Sequence, residues 1–214
     1  MSGEPRIPAA GRSVPSVRFP EVQRDIHGRK ALVMSEHMQV DNIDRIFTVI
    51  DLDGNGEISL DDFGAMARGV GREFELEAGS PEVQRLLEAY QDVWDYIRGA
   101  DVDVDDVVTK AEFRQAHETG RLSTSELLEK WQVVSRCAFD LADQDGDGYL
   151  DEDEFAGIYR GAGVTDPQVA AIAFGAMDVD SDGHLDRDEF LANVRGLFTA
   201  TDESTKGARM LSGN

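Results

Sequence analysis

The sequence contains a single cysteine and lacks long apolar runs. Cys137 has no second cysteine with which to form an internal disulfide, which is typical of a protein from a reducing compartment. No apolar stretch approaches the roughly 18 residues that a membrane-spanning helix needs. The N-terminus also lacks the apolar segment of a secretory signal peptide. These absences predict a cytoplasmic protein without a membrane span.

Positive charge is scarce as well. The 214 residues include 43 acidic and 21 basic side chains, for a net charge of -22. Four twelve-residue segments, 51–62, 101–112, 143–154 and 178–189, contain 23 of the acidic residues and only two basic ones. Because nearly all the net charge lies in these four loops, we expect cations to neutralise them. The sign of the charge excludes nucleic acid as a major partner.

Around the four loops the chain repeats one pattern, in which an apolar helix, an acidic loop and a second apolar helix follow each other. Ile46 and Ile50, for example, lie at helical spacing before the first loop. Ser80 precedes a proline and predicts a helix start. Ser123 and Glu126 have the spacing of a capping box. The pattern predicts an all-α fold with four helix–loop–helix units in two pairs.

Composition divides the chain further. Residues 1–33 are rich in Arg, Pro, Gly and Ser, and their lack of hydrophobic periodicity predicts a disordered tail of unknown role. The first pair of units is predicted at 34–120 and the second at 121–200, packed together as a compact globule. Residues 201–214 are predicted to be a flexible C-terminus.

The spacing of oxygen-bearing residues in the loops suits calcium, which takes six to eight oxygen ligands at about 2.3–2.6 Å. A twelve-residue loop supplies them from side chains at positions 1, 3, 5 and 12 and from the carbonyl of position 7, with glycine at the bend at position 6. The third and fourth loops match this pattern at every position. Their predicted ligands are Asp143, Asp145, Asp147, Tyr149 and Glu154 in the third loop, and Asp178, Asp180, Asp182, His184 and Glu189 in the fourth.

The first loop, DLDGNGEISLDD, departs from the pattern at position 12. Its predicted ligands are Asp51, Asp53, Asn55, the carbonyl of Glu57, and Asp62. Asp62 is one methylene shorter than glutamate, so it should reach an ion with one oxygen more easily than with two. Fewer ligands suit Mg²⁺, which is smaller and octahedral. We therefore expect weaker calcium binding here, or exchange of calcium with magnesium.

The second loop, DVDVDDVVTKAE, is degenerate. Asp101, Asp103, Asp105 and Glu112 stand at ligand positions, but Asp106 replaces the glycine at position 6. Aspartate adopts left-handed backbone geometry more readily than most residues, although at a cost. The sequence leaves metal binding by this loop open and favours an empty loop.

EF-hand loops work in pairs that are bridged by their residues at position 8. Ile58 should pair with Val108, and Leu150 with Leu185. The second loop can then support the first without holding an ion, and we expect about three bound ions in all.

The loop motifs are highly specific for EF-hands, and residues 36–198 resemble calerythrin and the sarcoplasmic calcium-binding proteins. The resemblance rests on three intact loops, a degenerate second loop, a long first inter-loop segment and the aromatic residues Tyr90, Trp94 and Tyr96. It implies a compact globule that acts as a calcium buffer or signal modulator. We expect a monomer, with any protein partner unknown.

A calcium sensor that exposes a hydrophobic groove to a protein target is the alternative. Sensors favour methionine-rich surfaces, and only Met66 and Met177 of the six methionines lie in the predicted EF-hand helices. A small-ligand carrier of the photoprotein type would need convergent His, Trp and Tyr side chains in a cavity, which the few such residues disfavour.

The cysteine, the two tryptophans and His117 are predicted to have structural roles rather than catalytic or cofactor-binding ones. Cys137, Trp94 and Trp131 are predicted to be core residues, and His117 a surface residue. No Ser/His/Asp or Cys/His set is recognisable, so the chain is not expected to be an enzyme.

Overall fold

The computed structural model describes residues 42–199. The chain divides into the units Met1–Ser35 and Glu36–Asn214, and every described residue belongs to the second. The predicted tails, 1–33 and 201–214, lie outside the described residues.

The described residues are mainly helical, as predicted. Residues 42–50 form helix α1. The other elements are β1 (Glu57–Ile58), α2 (Leu60–Glu73), α3 (Pro81–Ile97), a short 3₁₀ helix (Arg98–Ala100), β2 (Val108–Thr109), α4 (Lys110–Glu118), α5 (Thr124–Ala142), α6 (Glu152–Gly161), α7 (Pro167–Met177) and α8 (Arg187–Thr199). None of the helices in this part of the chain is both long and apolar enough to cross a membrane.

The predicted helix starts at residues 80 and 123 are confirmed. The Ser80 hydroxyl accepts a hydrogen bond from the Val83 N–H, and the Ser123 hydroxyl accepts one from the Glu126 N–H. The reciprocal half of the predicted capping box is wrong. The Ser123 N–H donates to the Tyr96 hydroxyl at 2.7 Å, and that hydroxyl donates to Glu126 Oε2 at 2.7 Å. Because α3 packs against α5, Tyr96 is inserted between the two capping residues.

The loops lie in pairs, joined by the predicted position-8 residues. Ile58 pairs with Val108 in the antiparallel β1–β2 ribbon. Leu150 and Leu185 exchange two backbone hydrogen bonds, both of 2.9 Å. All four side chains are fully buried. Each loop is therefore anchored to its partner on one side and to the core on the other.

A row of aromatic contacts runs through the core from α2 to α8. Phe63 contacts both Tyr90 and Trp94 of α3, and Tyr90 packs edge-on against Trp131 of α5. Trp131 in turn contacts Phe198 of α8. Trp94 and Trp131 are buried, which confirms their predicted core role. Residues from both halves of the chain thus share one core.

His117 is not the surface residue that the sequence predicts. Its Nδ1–H donates to the Phe113 carbonyl at 2.8 Å, and Nε2 is buried without a hydrogen-bond partner among residues 42–199. Burial lowers the pKa of His117, because it penalises the charged imidazolium. The last turn of α4 therefore packs inward. Cys137 is half-buried and packs against the core, as expected.

Helices α2 and α6 cross at a pair of glycines. A Cβ added to Gly69 would lie 2.0 Å from the Gly161 carbonyl oxygen, and one added to Gly161 would lie 2.4 Å from the Val70 Cα. In both cases the obstacle is backbone, which cannot rotate away. The two helices follow loops 1 and 3, so this crossing fixes the first half of the chain against the second.

Gly69→Ala should therefore destabilise the protein. Overpacking of this kind costs about 1–3 kcal/mol, which corresponds to a fall in melting temperature of about 2–4 °C per kcal/mol for a chain of this size. Thermal denaturation followed by circular dichroism in excess calcium would measure the change.

Gly175→Ala is the matched control, because Gly175 is also inside a helix but its added Cβ would meet no atom within 4 Å. Relief from the low helix propensity of glycine should stabilise this variant by about 0.5–1 kcal/mol. An equal rise in melting temperature for both variants would contradict the close crossing.

Candidate metal centres

All four loops bring carboxylates into close groups. In each loop the acidic residues at positions 1, 3 and 12 offer oxygen atoms that lie within 4.8 Å of one another. Oxygens on opposite sides of a calcium ion are about 5 Å apart, so these spacings fit a shared cation. The groups are Asp51, Asp53 and Asp62; Asp101, Asp103 and Glu112; Asp143, Asp145 and Glu154; and Asp178, Asp180 and Glu189.

Backbone N–H groups orient the carboxylates inside each loop. The carboxylate at position 1 accepts a hydrogen bond from the N–H of position 6 in every loop, at 3.0–3.1 Å. The side-chain oxygen at position 5 accepts one from the N–H of position 7 in loops 1, 3 and 4, at 2.7–2.9 Å. The residues involved at positions 5 and 7 are Asn55 and Glu57, Asp147 and Tyr149, and Asp182 and His184.

Asp147 and Asp182, the predicted ligands at position 5 of loops 3 and 4, lie on the loops but are not part of the close groups of three. The carbonyls at position 7 belong to the same turns, because the N–H groups of Tyr149 and His184 are held by Asp147 and Asp182. The tight turn over positions 5 to 7 follows from these bonds.

Glutamate at position 12 reaches both ends of its loop. Glu154 Oε1 accepts a hydrogen bond from the Gln144 N–H at position 2, at 2.9 Å, and Oε2 accepts one from the Asp151 N–H at position 9, at 3.1 Å. Glu189 makes the same two bonds in loop 4. Each glutamate thus spans its loop from position 2 to position 9, and its carboxylate lies beside those of positions 1 and 3.

Asp62 closes loop 1 in a different way. Its Oδ2 accepts hydrogen bonds from the N–H and the hydroxyl of Ser59, at 2.8 and 2.9 Å. The described part of the chain contains no bond from the Leu52 N–H, at position 2, to this carboxylate. Asp62 is therefore too short to span the loop. Ser59 and Asp62 form a capping box, which their spacing could have indicated and which the sequence analysis missed.

Loop 1 also contains a carboxylate oxygen without a partner. Asp51 Oδ1 is buried and accepts no hydrogen bond from any residue in 42–199, whereas Oδ2 is held by the Gly56 N–H. A buried carboxylate oxygen without a partner is costly. A divalent cation at this point would satisfy it, so the residues of loop 1 fit the ion that the motif implies.

Loop 2 keeps the same hydrogen-bond frame as the other loops. The Val102 N–H donates to Glu112 Oε1 at 3.0 Å, and the Asp106 N–H donates to Asp101 Oδ2 at 3.1 Å. The degenerate motif did not lead us to expect that loop 2 shares the hydrogen bonds of the other loops. The acidic residues at positions 1, 3 and 12 were the signal that could have indicated it. The difference from the other loops lies in the backbone rather than in the carboxylates.

Two residues of loop 2 adopt left-handed geometry without being glycine. Val104, at position 4, has φ +61°, and Asp106, at position 6, has φ +67°, where loops 1 and 3 have glycine. Such geometry costs about 1–2 kcal/mol per residue, and valine is especially unsuited to it. The Asp105 carboxylate, moreover, holds the pKa of Asp103 above its usual value by charge repulsion.

Two EF-hand domain-pair family models match the chain, at residues 132–195 and 29–68. Calerythrin of Saccharopolyspora erythraea is 30% identical over 143 residues, which cover 64% of this chain and 79% of calerythrin. A probable calcium-binding protein of Oryza sativa, CML16, is 32% identical over 108 residues, or 50% of this chain and 51% of that protein.

Among solved structures, a calcium-binding protein of Streptomyces coelicolor superposes with a TM-score of 0.66. It is 30% identical, and the match covers 75% of this chain and 98% of that one. The prediction of a calcium-binding protein that is not an enzyme agrees with these relatives. By its loops, its fold and its similarity to calerythrin, the chain belongs to the calerythrin family of EF-hand calcium-binding proteins.

Proposed function

We propose that the protein is a calcium buffer or signal modulator that holds about three ions, in loops 1, 3 and 4. The observation that carries this proposal is the placement of Glu154 and Glu189, which each span a loop from position 2 to position 9 beside the carboxylates of positions 1 and 3. We further propose that it acts as a monomer in the cytoplasm, where its single cysteine would stay reduced.

Charge neutralisation is the proposed mechanism. Carboxylates within 4.8 Å of one another repel when no cation is bound. A divalent ion replaces this repulsion by attraction and fixes the loop, so binding and folding stability are coupled. The proposed ligands are those of the three loops named from the sequence.

Loop 1 is proposed to exchange calcium for magnesium. Asp62 bonds Ser59 at position 9 and does not reach the N–H of position 2, so its shorter side chain should offer an ion one oxygen more easily than two. A site with one fewer ligand loses more affinity for Ca²⁺, which takes six to eight oxygens, than for octahedral Mg²⁺.

Loop 2 is proposed to remain empty and to support loop 1. The antiparallel pairing of Ile58 with Val108 joins loop 2 directly to loop 1. Val104 and Asp106 adopt left-handed geometry without being glycine, so the loop conformation that would bind an ion is costly in loop 2.

A buffer is favoured over a sensor by the packing of the helices. Met66 and Met177 are buried, so the described helices offer no exposed methionine surface. Opening a groove would separate Tyr90 from Trp131 and would disturb the crossing of α2 and α6 at Gly69. These contacts join the two halves and oppose such a motion.

Calorimetric titration of the chelator-treated protein should give three calcium ions per chain. Glu154→Gln and Glu189→Gln should each remove one strong site, because the amide cannot supply two charged oxygens. At free calcium of about 100 times the dissociation constant, each lost site should lower the unfolding free energy by about 2.7 kcal/mol. Four ions would contradict the empty second loop, and no uptake at millimolar calcium would overturn the function.

Asp62→Glu should convert loop 1 into a more selective calcium site. The longer side chain can bond both Ser59 and the N–H of position 2, as Glu154 does in loop 3. Calcium titrations in millimolar magnesium should then show weaker competition at one site than the unmodified protein shows. Magnesium competition that is unchanged by the substitution would count against the one-oxygen explanation.

Hydrophobic-interaction chromatography distinguishes a buffer from a sensor. Retention of the protein on a phenyl column should not increase when calcium replaces chelator, because the core shared by α2, α3, α5 and α8 stays closed. Calcium-dependent retention, released by chelator, would instead support the sensor and its protein target.

A further inference from the structure

A cavity of about 490 Å³ lies beside loop 1, between α1, α2, α3, α5 and the segment that follows α6. Its apolar lining includes Val49, Leu52, Met66, Trp131 and Val164. The volume falls in the range of about 300–1,000 Å³ that small-molecule sites occupy. The cavity is therefore large enough for an organic molecule of two or three rings.

One of the residues that line the cavity is a buried tyrosine. Tyr90 is 6% exposed and makes no hydrogen bond within the described part of the chain. Burial raises the pKa of Tyr90, so its hydroxyl stays protonated and can donate. Buried tyrosine hydroxyls usually find a hydrogen-bond partner. Beside it stands the Trp131 ring, 5.9 Å from the Tyr90 ring between centroids, which offers an aromatic wall.

Metal loop 1 forms one side of this cavity. Asp51 and Leu52, its first two residues, both line it. Leu52 also lies close to Gly163, where an added Cβ would be 3.0 Å from Leu52 Cδ1. A cation held by Asp51 would neutralise the carboxylate at the cavity wall and fix the backbone that carries Leu52. The cavity and the first metal site therefore share residues.

We propose that this cavity binds an uncharged aromatic compound that carries a carbonyl acceptor, and that a cation in loop 1 strengthens the binding. The apolar lining and Trp131 select the rings, and the Tyr90 hydroxyl donates to the carbonyl. Because coupling between two sites is reciprocal, the same ligand would raise calcium affinity at loop 1.

The test uses the full chain and the neutral naphthalene ketone Prodan, whose fluorescence reports its surroundings. We expect saturable binding of one Prodan per chain, with affinity at least about fivefold higher in calcium than in chelator. Tyr90→Phe should weaken binding about fivefold, because only the hydrogen bond is lost. Binding that does not saturate, or that the Phe variant leaves unchanged, overturns the assignment.

Ala162→Phe should fill the cavity, of which Ala162 is part, and should abolish Prodan binding. Ala171→Phe is the matched control, because Ala171 is exposed on α7, and it should bind Prodan normally. Melting curves of both variants check that they fold. Equal Prodan affinity in the two variants would place the probe elsewhere and refute the proposal.

A second pair of variants tests the link to loop 1. Asp62→Asn should remove the calcium effect on Prodan binding, whereas Glu189→Gln, which damages the distant loop 4, should preserve it. Failure of this coupling can be distinguished from failure of the proposed buffer role, because calorimetry measures the number of bound calcium ions separately. Loss of the calcium effect in both variants, or in neither, overturns the coupling.

Discussion

The fold depends on holding like charges together. Three carboxylates in each loop offer oxygens within 4.8 Å of one another, an arrangement that is unfavourable without a cation. Backbone N–H groups at positions 2, 6 and 9 oppose the repulsion, and the buried position-8 pairs, such as Leu150 with Leu185, attach the loops to the core. The helices therefore supply rigidity that the loops alone lack. A bound ion would further reduce the repulsion between the carboxylates, which the backbone N–H groups already lower in part.

The same core makes the loops interdependent. The aromatic row from Phe63 through Tyr90 and Trp131 to Phe198 joins elements of both halves. At Gly69, α2 and α6 approach backbone to backbone, so no side-chain rotation can relieve a change in their spacing. An ion that orders loop 1 consequently acts on a core that loops 3 and 4 also touch. This arrangement favours a protein that tightens on binding calcium over one that opens a groove.

The sequence predicted those features that depend on residues close together in the chain. The Ser80 and Ser123 caps and the identity of the position-8 pairs follow from local pattern, and the structure bears them out. The spacing of the acidic residues likewise indicated that positions 1, 3 and 12 of each loop would lie together. It failed where a distant element intervenes. Tyr96 enters the cap of α5 from another helix. His117 is half-buried by neighbouring elements, and the cavity beside Tyr90 forms only when loop 1 meets four helices and the segment after α6.

Loop 2 separates the geometry of an EF-hand from its capacity to bind an ion. Its carboxylates form as close a group as those of loop 3, yet two left-handed residues without glycine, Val104 and Asp106, bear strain of about 1–2 kcal/mol each. The β-bridge between Ile58 and Val108 can hold this frame in place of an ion. A cation can bind only to this strained conformation, so the strain lowers the net gain from binding relative to loops 1 and 3, which have glycine at both left-handed positions.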